Sequence, residues 1–271
     1  SERNVAHRLI EEFMLLANET VAAHVVAHDI PSLHRVHEAP DLKKVEEFAE
    51  FIEPFGYGLG ASGHDVTPKD FQRLIERIHG TPEERPIAAL MLRTMQKARY
   101  DPVSLGHFGL ATEHYLHFTS PIRRYPDLIV HRVLGAWLDG DVFQADMHTI
   151  AESTSSTERR AAEAERELVE WKKVKFMVDR VGDEFAAMII STQRFGFFVE
   201  LEELFIEGLV PIDTLPGDRY GYNENTRRII GVKTRRQFSI GDKVRVRLDR
   251  ADGVEKKLQF SVVVERKGRR S

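Results

Sequence analysis

Hydrophobic positions recur with a helical period over roughly the first two thirds of the 271-residue chain and with a period near two thereafter, the change falling close to Val181. Residues 3–27 read as one helix: Val5, Leu9, Phe13, Ala17 and Val21 stand four apart, and Ile10, Met14 and Val25 widen the stripe. Shorter helices are expected over 42–51, 68–78 and 86–99, the last with Ile87, Leu90, Met91, Met95 and Ala98 on one face and Pro86 in its first turn. Residues 101–126 lose any period among glycines, histidines and aromatics. Helix resumes over 127–138. A long helix over 156–179 would bury Ala161, Ala164, Leu168, Trp171 and Val178, with Ser156 a partial cap.

Beyond residue 181 five short strands are expected, over 182–190, 196–201, 206–212, 241–248 and 257–262, with a long basic connection between the third and fourth. Five strands in about 80 residues fit a small OB-type barrel. The fold class expected is therefore α+β, a mostly helical domain followed by a five-stranded OB-type barrel, with the boundary near Arg180. No internal repeat is visible.

Composition narrows the class. The chain has no cysteine, 42% hydrophobic and 30% charged residues, which excludes a disulfide scaffold, a cysteine-zinc site and a low-complexity disordered chain. No run approaches the ~18 apolar residues of a membrane span, and the first residues lack a signal-peptide pattern. A cytoplasmic protein is the simplest expectation. The formal net charge of -4 conceals a split: residues 217–271 carry sixteen Lys and Arg against seven Asp and Glu, a net of +9, leaving −13 on residues 1–216. A basic segment on an acidic body points to a polyanion such as nucleic acid, or to a solvated surface. Residues 56–63, GYGLGASG, lack the Lys-Ser or Lys-Thr of a phosphate-binding loop and read as a plain loop. The chain opens at Ser1 directly into helical pattern, which favours excision from a longer protein over Met removal.

The densest candidate chemistry lies in residues 107–127, where hydroxyls, histidines, aromatics and the adjacent Arg123 and Arg124 are interrupted by Pro121 and Pro126. The prolines keep this stretch out of regular helix. A stiff loop can hold guanidinium groups in a fixed pose to meet phosphate oxygens, although pairing with a local carboxylate such as Asp127 reads equally well.

The run HFGLATEHYLHFTSPIRRYPDLIVHR resembles the signature of the ribonuclease II and ribonuclease R family, hydrolytic exoribonucleases acting from the RNA 3′ end, and fits the ribonuclease R branch better. SERNVAHRLIEEFMLLANE and ERRAAEAERELVEW are similar to two helices of that family's RNB catalytic domain. GDEFAAMIISTQRFGFFVEL followed by IEGLVPI looks like its C-terminal S1-type RNA-binding barrel. The resemblance implies residues 1–180 as the downstream portion of the catalytic domain, 181–265 as the S1-type domain and 266–271 as a basic tail. It also implies a processive 3′→5′ enzyme that hydrolyses single-stranded RNA to nucleoside 5′-monophosphates with Mg²⁺. The family's metal-holding aspartates lie upstream of the helix that begins here, and nothing in residues 1–271 resembles them. No metal ligand is therefore expected in this chain. The missing upstream part of the catalytic domain becomes an expected partner beside single-stranded RNA, with an RNA helicase or degradosome as a further candidate.

By the same resemblance Arg123 contacts the scissile phosphate, and Arg124 binds a neighbouring phosphate or makes a structural ion pair. His117, Thr119 and Ser120 donate hydrogen bonds to phosphates. Tyr125 either lies under a base or ribose or is buried. Asp127 orients an arginine, caps the following helix or assists the metal site. Glu11 or Glu12 holds the RNA through a 2′-hydroxyl, with Asn18 on the face of Glu11. Glu163 and Glu165 stand near the RNA channel or form a solvated face with Arg159, Arg160 and Arg166. In the barrel, Phe195 and Phe197 are expected to share one side and stack bases, Phe198 facing the other, with Arg194, Arg227, Arg228, Lys233, Arg235, Arg236, Arg245 and Arg247 tracking phosphates. The alternative is an RNA-binding module without catalysis, and a weaker one an inactive relative acting as a scaffold.

Overall fold

A computed structural model of the chain describes residues 4–60, 66–224 and 226–263. The expected tail at 266–271, residues 264–265 and part of the glycine-rich loop lie outside the described residues. The chain folds into two compact units. The first comprises residues 1–51, 58–73 and 93–162, and the second residues 52–57, 74–92 and 163–271.

In the first unit α1 (Val5–Ala27) starts at Asn4, whose side chain accepts from the His7 N–H in a capping box. Only Asn18, Ala22 and Val25 of α1 are buried. The expected stripe divides: Val25 is buried and Val21 packs against the core, whereas Val5, Leu9, Ile10 and Phe13 are exposed, as is Leu16. Strand β1 (His34–Val36) pairs antiparallel with β2 (Arg99–Asp101), a sheet too short for periodicity to register. Helices α2 (Leu42–Ile52), α3 (Pro68–Ile78) and α4 (Glu84–Thr94) follow the expected order, the end of α3 and most of α4 belonging to the second unit. The last ends five residues early because residues 99–101 join β2.

Helix α5 (Tyr125–Leu138) buries Pro126, Ile129, Val130 and Val133 at three and four apart. Its buried aliphatic residues pack with Ala22, Val25, Leu33, Tyr100, Leu116, Met147 and Ala151 as one core. Helix α6 (Met147–Val178) begins nine residues before the expected Ser156. Its cap is Asp146, whose carboxylate accepts from the His148 and Thr149 N–H groups and the Thr149 hydroxyl. Ser155 is buried and accepts the Tyr100 N–H at 2.9 Å, which ties α6 to β2. The expected stripe on α6 is not a core face. Ala161, Ala164, Leu168, Trp171 and Val178 are exposed, and Val174 and Met177 are the buried positions in its second half.

The second unit is built on a closed barrel of β3 (Glu184–Gln193), β4 (Gly196–Leu201), β5 (Glu207–Pro211), β9 (Lys243–Asp252) and β10 (Lys257–Val262), in the order β10-β5-β4-β3-β9. All pairs are antiparallel except β5 with β10. Alternation sends Phe197, Val199 and Leu201 inward from β4 and Val246 and Leu248 inward from β9. Gly196, at φ +149°, lies where a Cβ would meet the Val210 carbonyl of β5, so β4 pairs this closely with β5 only with glycine there.

The long basic connection is a third sheet. β6 (Tyr220–Asn223), β7 (Arg228–Gly231) and β8 (Gln237–Phe238) form an antiparallel ribbon. It is anchored by Phe238 stacking on Phe197 at 5.2 Å and by the Thr192 hydroxyl donating to the Arg227 carbonyl at 2.7 Å.

Candidate catalytic loop and RNA interface

The loop between β2 and α5 is irregular but tightly pinned. Its Phe108–Leu110 segment is a 3-10 turn, and the His37 Nδ1 accepts the Gly109 N–H at 3.0 Å, an approach any Cβ at Gly109 would crowd. Asn18 on α1 uses both ends of its amide: Nδ2 donates to the Tyr115 hydroxyl and Oδ1 accepts the Phe118 N–H, each at 3.0 Å. It is 3% exposed. Placing Asn18 on RNA is thus corrected; it is a strut that holds the loop to α1.

Asp127 decides the pose of the two arginines. Fully buried, its Oδ1 accepts the Ser120 N–H and an Arg124 N–H, both at 2.8 Å. The Ser120 carbonyl in turn accepts the N–H groups of Arg123 and Arg124. Asp127 therefore folds the Thr119–Arg124 segment back on α5. Arg124, at the N-cap position, makes no side-chain cap hydrogen bond to the helix. Its guanidinium gives one N–H to Asp127, its Nε is buried without a partner among the described residues, and the side chain also lines the cavity onto which Arg123 opens. Arg123 is exposed, has no ion-pair partner among the described residues, and opens onto a cavity of about 590 Å³. Tyr125, half-exposed rather than buried, lines the same cavity.

The opposite wall is α6, with Thr149, Ser153 and Thr157 one helical turn apart, and Glu158. Glu158 is held by Arg35 through a two-pronged pair at 2.6 and 3.0 Å, and Arg35 also lies 4.7 Å from the Tyr100 ring centre. The sequence motif marks neither Tyr100 nor the hydroxyl row. The row is legible in principle, since Thr149, Ser153 and Thr157 repeat at i, i+4 and i+8, but a helix beginning at Ser156 excludes its first members.

His117 is partly buried against Tyr100, whose hydroxyl lies 3.0 Å from its Nδ1. Burial, with Arg124 and Arg35 nearby, lowers the His117 pKa to about 3. Burial likewise lowers His34 and His107 to about 4 and raises Tyr100 to about 12. All three histidines are neutral at pH 7, so His117 offers a neutral hydrogen-bonding ring to the loop and no positive charge. Because their pKa is depressed in the folded chain, the unfolded chain takes up protons first, beginning near 6.5. Stability is therefore expected to fall as pH drops from about 6.5 toward 4. Urea unfolding at pH 7.5, 6 and 5 checks this. Asp101 and Asp218, with lowered pKa, lose their stabilising contribution only from about pH 4 downward. The Thr119 hydroxyl is buried without a partner among the described residues.

Glu11 and Glu12 are both exposed on α1, as are Glu163 and Glu165 on α6. Among the described residues no group of three His, Asp or Glu side chains converges to hold a metal ion. The residues present do not fit a Mg²⁺ site of their own.

On the barrel the expected aromatic pair is re-sorted. Phe197 is fully buried and cannot stack a base. Phe195 sits in the β3–β4 turn, outside the strand alternation, is 54% exposed, and meets the half-buried Phe198 edge-on at 6.2 Å. Arg245 and Arg247 occupy the outer face of β9, each with an acid beside it, Glu184 at 3.1 Å and Asp249 at 3.1 Å. Arg194 pairs with Glu224. Arg245 registers with Ala186 of β3 and Phe198 with Ser191. Arg245 and Phe198 thus stand roughly 16 Å apart along β3, so Arg245 and Arg247 do not cluster with the phenylalanines, whereas Arg194 adjoins Phe195.

The loop-borne arginine over a cavity and the OB-type barrel with an exposed Phe195 against Phe198 have their counterpart among known families. Residues 1–140 match the RNB domain and residues 178–263 the S1 RNA binding domain. The chain belongs to the RNB family. Ribonuclease R of Aquifex aeolicus is 47% identical over 267 residues, covering 97% of this chain and 38% of the relative. The apo form of Mycoplasma genitalium RNase R superposes with a TM-score of 0.85 at 29% identity, covering 95% of this chain and 42% of that one. The same enzyme in complex with ribose methylated single-stranded RNA superposes with a TM-score of 0.83 at 29% identity, covering 94% and 41%. The chain thus spans about two fifths of the length of these relatives. Among its described residues no helix is long and apolar enough to cross a membrane.

Proposed function

We propose that this chain is the downstream portion of a ribonuclease R-type exoribonuclease, which hydrolyses single-stranded RNA processively from the 3′ end to nucleoside 5′-monophosphates in the cytoplasm. Residues 1–180 would complete an RNB catalytic domain, and residues 181–265 would form its S1-type domain. The observation that carries this reading is the division of labour in the loop. Arg124 is locked to Asp127, while Arg123 has no acid partner among the described residues and faces the cavity. A guanidinium held there stabilises charge developing on a phosphoryl oxygen. Tyr125 would lie against a base or ribose, His117, Thr119, Ser120 and Arg124 would position the loop around a phosphate, and Glu11 or Glu12 would reach a 2′-hydroxyl. Phe195 with Phe198, Arg194, Arg245 and Arg247 would guide incoming RNA.

A divalent metal, Mg²⁺ by family resemblance, would be held by carboxylates upstream, since the described residues do not build its site. The exposed apolar face of α1 at Val5, Leu9, Phe13 and Leu16 supports an upstream segment as its cover. A helicase or degradosome component is a further candidate partner. The test compares the 271-residue chain with its intact parent on a 5′-labelled oligoribonucleotide with Mg²⁺. Shortening by the parent, with binding but no shortening by the chain alone, is the expected result. An intact parent that binds without shortening would leave the RNA-binding reading in its place.

A further inference from the structure

The inserted β6–β8 ribbon carries a cavity that the proposed RNA path does not yet use. It has a volume of about 610 Å³ and lies between the β3–β4 turn and β6, lined by Arg194, Ile212, Tyr220, Tyr222, Asn223 and Glu224. Its size is within the range of small-ligand sites. Two tyrosines and an isoleucine line it together with a guanidinium, an amide and a carboxylate, and the Ile212 N–H donates to the Phe195 carbonyl at 2.9 Å. The cavity therefore begins beside the exposed Phe195 residue. Its walls are firmly held, because the ribbon is fixed by Phe238 on Phe197 and by Thr192 on Arg227. Residues 217–238 carry six Lys and Arg against two Asp and Glu. One of those acids, Asp218, is spent on the turn at Lys233 and Thr234.

We propose that this cavity is a second single-stranded RNA subsite, in which a base lies on Tyr222 and the adjoining phosphate takes Arg194 from Glu224. This subsite rests on the RNA reading of the barrel. Tyrosine rings beside a guanidinium match a nucleotide, which joins a π-face to an anion. Glu224 occupies the phosphate position in the free protein, as the internal partner of Arg194. Both side chains are largely exposed, so their pair is weak and a polyanion can displace it. Glu224 lowers affinity by competing for Arg194 and by repelling the phosphate.

The experiment is an anisotropy titration of a fluorescein-labelled single-stranded oligoribonucleotide with the full chain at several salt concentrations. Tyr222→Leu, which keeps an apolar side chain against the barrel, is expected to weaken binding about tenfold, and Tyr222→Phe to retain it. Glu224→Gln is expected to tighten binding about two- to fivefold, with a plot of log K against log salt steeper by about 0.7. Should Tyr222→Leu melt early, the sign of the Glu224→Gln change decides alone. Unchanged affinity in Tyr222→Leu and Glu224→Gln, with a loss in Phe195→Ala, would overturn the subsite and leave the RNA reading standing. A wild-type chain that does not bind the oligoribonucleotide would overturn both.

Discussion

Replacing Arg123 with Ala in the intact parent protein is expected to slow RNA shortening about 10²- to 10³-fold, while leaving the fold unchanged and RNA affinity within a few-fold. The side chain is exposed and pairs with no acid among the described residues, so its removal uncovers no buried charge and opens no core cavity. Its contribution would lie in the step where charge grows on the phosphate. Arg123→Lys is expected to restore only part of the rate, because a single ammonium cannot reproduce the planar two-pronged contact of a guanidinium. Single-turnover rates measured beside equilibrium affinity separate the two effects. An equal loss in both would make Arg123 an ordinary RNA-binding residue.

Asp127→Ala should act in the opposite manner, through the fold. Asp127 is fully buried and Arg124 is mostly buried with it, so deleting the carboxylate strands a guanidinium and leaves the Ser120 N–H unpaired. Removing one member of such a pair typically costs about 3–5 kcal/mol. Urea unfolding monitored by circular dichroism is expected to show a loss of that order, and any RNA shortening should fall with it because Arg123 loses its pose. Asp127→Asn, which keeps an acceptor for the Ser120 N–H but no charge, is expected to lose less. A stable Asp127→Ala protein would show that the loop is held by its other contacts.

Sequence pattern locates nearly every long element, and the barrel strands at residues 196–201 and 257–262 fall where alternation places them. Burial is harder to read. The stripe on α6 and the first half of that on α1 are apolar yet exposed, because periodicity identifies a face and says nothing about what covers it. The short elements β1, β2 and β6–β8 escape because two to four residues cannot establish a period; they are fixed by tertiary anchors such as Phe238 on Phe197 and the β1–β2 pairing. At the candidate site, the motif marks Arg123 and Arg124 together, and only the three-dimensional position of Asp127 shows that Arg124 is the one it pairs with. Phe195 and Phe197 are equivalent under strict alternation, but Phe195 lies in the turn and Phe197 in the core. The −4 net charge is the least informative number, since it averages the two halves, and part of the basic excess after residue 216 is matched by earlier acids: Lys243 by Glu202, Arg245 by Glu184 and Lys256 by Glu167.

The most direct test of the central claim is a time course with a 5′-labelled single-stranded oligoribonucleotide, the intact parent protein and Mg²⁺, resolved to single nucleotides. A ladder descending one nucleotide at a time from the 3′ end is expected, with release of nucleoside 5′-monophosphates and almost no ladder with the Arg123→Ala protein. Fragments from internal cleavage, or a ladder undiminished by Arg123→Ala, would contradict it.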